Sequence, residues 1–100
     1  MINILAKKMI SYFINKVPSQ TILEIAFRFK KIRKSKKFSQ AETAEKSGVS
    51  LGSLKRFEQS GQISLESLLK LAHLTDNLLD FDSIFKEKAD LKAIERLFKK

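Results

Sequence analysis

The chain has 100 residues, no cysteine and a single histidine, His73, with 20 Lys/Arg against 11 Asp/Glu for a formal charge of +9. That length supports one small domain with a modest core, and a hydrophobic content of 43% is enough for it to fold rather than stay disordered. Without cysteine there is neither a disulfide framework nor a thiolate metal site, which points to a reducing, intracellular home, and one histidine supplies neither a metal cluster nor a Ser/His/Asp triad.

The charge is unevenly placed. Residues 1–37 hold ten bases and one acid, Glu24; residues 38–85 hold four bases and seven acids; residues 86–100 hold six bases and three acids. A basic end on a mildly acidic body suits an oriented contact with a polyanion: DNA, RNA or an anionic membrane surface.

At the N-terminus, Ile2, Leu5, Met9, Phe13 and Val17 recur at helical spacing while Ile10, Tyr12 and Ile14 alternate as in a strand, so periodicity leaves both open. The segment is too short and too interrupted by Lys7, Lys8 and Lys16 to span a bilayer, and it lacks the pattern of a signal peptide. Asn15 to Pro18 ends whatever precedes it, because the residue before a proline avoids the helical region. A helix then starts between Val17 and Thr21, with a Thr21/Glu24 capping box or with Pro18 as an early helical position. Its apolar stripe is Ile22, Ile25, Ala26, Phe29 and Ile32, and the polar run Lys34 to Lys37 ends it. Phe27, Phe29, Phe38 and Phe57 are read as core rather than as base-stacking platforms.

Ser39 and Glu42 form a Ser-x-x-Glu capping box opening a helix from Gln40 to about Ser47. Gly48 supplies a left-handed turn. Ser50 caps a further helix from Leu51 to about Gln59, closed by Ser60-Gly61. Ser64 caps the next, Leu65 to about Leu74, with Leu65, Leu68, Leu69 and Ala72 inward. A short helix over Leu78 to Phe85 turns Leu78, Phe81, Ile84 and Phe85 inward, and Asp90 to Lys100 is a last helix or a frayed tail. The whole is an all-helical bundle without repeat or low-complexity linker.

Two short helices around a glycine turn are common. Here Ala44 is small where the helices cross. Val49, Leu54 and Phe57 pack the second onto the first, and Leu51, Gly52, Lys55 and Arg56 are left on its outer face.

With these residues the chain resembles the XRE family of helix-turn-helix regulators, relatives of the lambdoid phage repressors, over about residues 22–85. The resemblance lies in Phe29-x-x-Ile32-Arg33, then Phe38-Ser-Gln-Ala-Glu-x-Ala-Glu-Lys-x-Gly48-Val-Ser50, then Leu54-Lys-Arg-Phe-Glu58, then Ser64-Leu-Glu-x-Leu-Leu-Lys-Leu-Ala72. Within that family it is most similar to the HipB-type antitoxins, which bind their own operator and a HipA-type kinase toxin. The resemblance implies a five-helix lambda-repressor-like domain at 18–85; residues 1–17 are read as an N-terminal arm whose apolar residues offer one dimerisation surface, with Leu78, Leu79 and Phe81 offering a second, and residues 86–100 as a basic helix or tail. It implies a non-enzymatic, cytoplasmic protein of prokaryotic or phage origin, needing no cofactor and no metal. Its partners are operator DNA, a second copy of itself and a HipA-like kinase, with no membrane.

Carried over residue by residue, the resemblance makes Leu51, Gly52, Lys55 and Arg56 face base edges. Arg56 is the candidate for a guanine, whose O6/N7 pair matches a planar fork. Gln40, Ser53, Lys34, Lys36 and Lys37 would hold phosphates. Arg33 and Glu58 would form a partly buried structural pair. Two departures stand out. Thr43 occupies a position where the family usually has leucine, which thins the expected core, and Gly52 lies within the recognition helix. An antitoxin acting mainly on a kinase, and a basic membrane-surface peptide at 1–17, are the other readings. Plain surface roles for Lys55, Arg56 and the seven bases of Arg28–Lys37 are the bland ones.

Overall fold

The computed structural model describes residues 3–14, 16–87 and 91–98. Among them are six α-helices, one 3-10 helix and no strand: α1 (Ile4–Ile14), α2 (Pro18–Ser35), α3 (Gln40–Ser47), α4 (Leu51–Ser60), α5 (Leu65–Leu74), the 3-10 helix Leu78–Phe81, and α6 (Leu91–Phe98). The expectations resting on Ile2, Asn15 and Asp90, and on the side chains of Phe13 and Leu91, lie outside the described residues. No described helix is long and apolar enough to cross a membrane.

The ambiguous N-terminal segment is helical, and Asn3 starts it by accepting the Ala6 N–H on its Oδ1 at 2.7 Å. Val17 is extended, at φ −106° and ψ 157°, as a residue before proline must be, and Pro18 takes the first helical position of α2. The Thr21/Glu24 capping box is therefore not used. The Gln20 side chain closes the helix start instead, accepting the Val17 N–H at 3.0 Å, while Glu24 turns back to Lys16 at 2.7 Å.

The core is made by three helices and one turn, with Ala44 of α3 packed against it. Ala26 and Phe29 of α2, Leu54 and Phe57 of α4, and Leu71 of α5 are buried together with Val49 from the turn between α3 and α4. The Phe29 and Phe57 rings meet at 5.6 Å between centroids, tilted by 41°, a favourable offset for two aromatic quadrupoles. α2 packs on α4, and α3 packs on both α4 and α5, so α4 is held from two sides.

Three sequence expectations about burial need correction. Phe27 is 62% exposed with Lys31 over its ring at 5.5 Å, because it lies off the Phe29 stripe that faces α4. Leu65 is exposed in the first turn of α5, beyond the reach of the core. The segment after Leu78 does not form a helix to Phe85. The Asp80, Asp82, Ile84 and Lys86 amides each bond the carbonyl three residues back, and Phe85 takes a positive φ of 59°. Phe85 therefore points to solvent, Ile84 is half-exposed along a groove with Ile25, Phe29 and Leu68, and Leu78 is partly exposed. Thr43, the smaller residue at a position where leucine is the expected family choice, stays inside the core. It is fully buried, and its hydroxyl donates to the Ser39 carbonyl at 2.8 Å, which meets the polar requirement within α3.

Candidate nucleic-acid interface

The two-helix unit is set by local chemistry at each junction. Ser39 accepts the Glu42 N–H at 3.0 Å and Glu42 reaches back to the Ser39 N–H at 3.3 Å, the reciprocal box expected. Gly48 ends α3 at φ 79°, and its N–H bonds the Ala44 carbonyl at 3.0 Å. Two residues later Ser50 caps α4 by accepting the Ser53 N–H at 3.1 Å. The turn between helices is thus three residues long in effect, too short to let α4 swing.

The inner face of α4 carries Leu54 and Phe57 into the core. Beside them the side chain of Glu58 is buried with Arg33 of α2. The pair is a bidentate fork, Arg33 Nε to Glu58 Oε2 at 2.6 Å and Nη2 to Oε1 at 2.9 Å. Arg33 Nη1 donates to the Phe38 carbonyl at 2.7 Å, and Gln40 Nε2 donates to Glu58 Oε1 at 3.1 Å. One charged cluster therefore joins the end of α2, the start of α3 and the end of α4. Charge-assisted forks of this kind fix geometry as well as adding energy.

The outer face of α4 is exposed at Leu51, Gly52, Ser53, Lys55 and Arg56. A β-carbon built at Gly52 would meet nothing within 4 Å, so this glycine relieves no crowding inside the protein. Two shallow hollows flank the helix. On one side Lys55 shares a concavity with Gln40, Glu58 and Lys30. On the other, Arg56 and Ser53 share one with Gln62, Ser64 and Ser67. Both hollows are open and polar, and both lie against the exposed face of one helix.

The residues named from sequence fall into these places unequally. Arg33 and Glu58 come together as expected. Gln40 is the first residue of α3, with one of its two amide donors committed to Glu58. Ser53 shares its hydroxyl with Ser50 at 2.8 Å in the cap of α4. Lys34 lines a third hollow with Lys30, Lys31 and Glu58, beside the exposed Phe27. Lys36 and Lys37 are exposed on the turn after α2, where Lys37 takes a φ of 60°, and they do not line the hollows of α4. Lys30 and Gln62 had no individual role in the sequence reading. Lys30 was one of a run of bases, and its partners Gln40 and Lys55 lie on other helices. Among the described residues no group of His, Asp or Glu side chains converges on a metal site.

A helix-turn-helix family model matches residues 29–80, slightly more than half of the chain. No curated protein and no solved structure matches it.

Proposed function

Because the chain belongs to the XRE-type helix-turn-helix family of DNA-binding proteins, we propose that it is a sequence-specific transcriptional repressor that presents α4 to the major groove of double-stranded DNA. The observation that carries this reading is the division of α4 into a fixed inner face and a bare outer one. Leu54, Phe57 and Glu58 lock the helix, while Leu51, Lys55 and Arg56 project from it without entering the core. In that role Arg56 reads a guanine, Leu51 meets a thymine methyl, and Lys55 with Gly52 completes the base-facing set. Gln40, Ser53, Lys34, Lys36 and Lys37 hold phosphates and position the helix without reading sequence.

The repressor acts as a homodimer on an inverted repeat with half-sites about 10 bp apart. Ile4, Leu5, Met9 and Ile10 of α1, and Leu78 with Leu79, are exposed apolar side chains suited to such pairing. Selection of bound sequences from a random duplex pool tests the whole reading. A palindromic consensus is expected, with Arg56→Ala costing about 1–3 kcal/mol at one base position. Binding that never exceeds affinity for random duplex would remove the assignment.

The resemblance to HipB-type antitoxins adds a second partner, a HipA-like kinase toxin, and the exposed Leu79, Ile84 and Phe85 give a protein somewhere to bind. Co-expression with a kinase-like toxin encoded beside it should yield a complex that survives gel filtration; two separate peaks would dismiss this partner.

A further inference from the structure

Arg56 is not a free arm. Its Nη2 donates to the Gln62 Oε1, and Gln62 lies beyond the end of α4. The link is closed through the main chain as well. Ser60 Oγ donates to the Arg56 carbonyl at 2.8 Å and accepts the Gln62 N–H at 3.3 Å. Arg56, Ser60 and Gln62 thus form a ring containing both the backbone and the guanidinium of the arginine.

The ring has a rigid base. Gly61 stands between Ser60 and Gln62 at φ 80°, with its N–H on the Phe57 carbonyl at 2.7 Å. A β-carbon there would lie 2.1 Å from Ile22 Cγ2 and 3.1 Å from the Ile22 carbonyl oxygen. The turn is therefore seated directly on α2, and the direction in which Gln62 leaves α4 is set by the core.

We propose that Gln62 is a specificity-determining positioning residue, holding the Arg56 guanidinium aimed at one base edge before DNA arrives. The inference rests on α4 being the base-reading helix. A long exposed side chain loses rotamer freedom when a partner immobilises it, and an arginine fork makes two parallel bonds to guanine only in one plane. Gln62 occupies one donor and leaves the rest of the guanidinium's five N–H groups for a base. It also draws Arg56 toward the side of α5, away from the hollow that holds Lys55.

The test measures Kd of the full chain for the selected operator and for duplexes substituted at each base pair, with Arg56→Ala, Gln62→Ala, Gln62→Glu and the Arg56→Ala/Gln62→Ala double variant. Gln62→Ala should reduce discrimination at the same base pair as Arg56→Ala, by about 2- to 10-fold. It should add nothing in the Arg56→Ala background and leave the salt dependence on random duplex unchanged. Gln62→Glu keeps an acceptor for Nη2 and should retain the base preference while its charge weakens all duplexes. If Gln62→Ala weakens every duplex alike with or without Arg56, Gln62 is itself a phosphate contact and the proposal fails. It fails equally if Arg56→Ala alters discrimination and Gln62→Ala does not. Should Arg56→Ala alter discrimination nowhere, the base-reading assignment of Arg56 falls with it, a result distinct from the other two.

Discussion

Arg33 and Arg56 are the same side chain in opposite settings. Arg33 is 6% exposed and spends all three of its nitrogens on Glu58 and the Phe38 carbonyl. Arg56 is exposed and bonded to one neutral glutamine. Beneath α4, charge is neutralised and its geometry is over-determined. Above α4, charge is uncompensated and most of its hydrogen-bonding capacity is unused. The lower region gives the upper one its placement, because an exposed side chain is only as well placed as the helix that bears it.

Removing a partner from the lower cluster should have the greatest consequence. Glu58→Ala leaves the buried Arg33 unpaired and should cost about 3–5 kcal/mol of stability, whereas the exposed Glu45→Ala should change it by no more than about 0.5 kcal/mol. Chemical denaturation of the two variants decides it, and similar midpoints would erase the distinction between the two regions.

The glycines at the two levels should separate next. Gly61→Ala forces a β-carbon into a left-handed residue seated on Ile22 and should lose at least about 1–2 kcal/mol. Gly52→Ala faces open space and should instead gain up to about 1 kcal/mol as a better helix former. If that more stable variant also binds operator less well, the bare backbone at Gly52 is in contact with DNA; unchanged binding places DNA farther out.

The smallest change is expected at the margin of the upper region. Lys37→Ala should leave stability untouched, weaken operator and random duplex alike, and reduce the salt slope by about one unit. A loss confined to the operator would make Lys37 a sequence reader and extend the base-facing surface off α4.

What was legible in the chain follows the range of each interaction. The Ser39/Glu42 box, the Gly48 turn and the Ser50 and Ser64 caps all join residues within a few positions of one another, so spacing alone reveals them. The Thr21/Glu24 alternative failed against a proline rule just as local, since Pro18 fits the first turn better than any later start. Arg33 and Glu58 are 25 residues apart, and their pairing was expected from family resemblance rather than from spacing. Arg56 and Gln62 are only six apart, yet a glycine in the left-handed conformation lies between them and turns the chain back on itself. Neither side-chain type nor periodicity foretells that meeting.

By itself the sequence determined that this protein is helical, where the two helices of its helix-turn-helix unit start and stop, and that cations crowd both ends of the chain. Those properties depend on neighbours along the backbone and on net composition. Only the tertiary structure decided that Phe27 lies outside the core, that the segment after Leu78 winds as tight turns with Phe85 in solvent, and that Arg56 is held by Gln62. Each of these depends on which helix packs against which face, and packing is settled by the shape of the whole core rather than by the residues next in line.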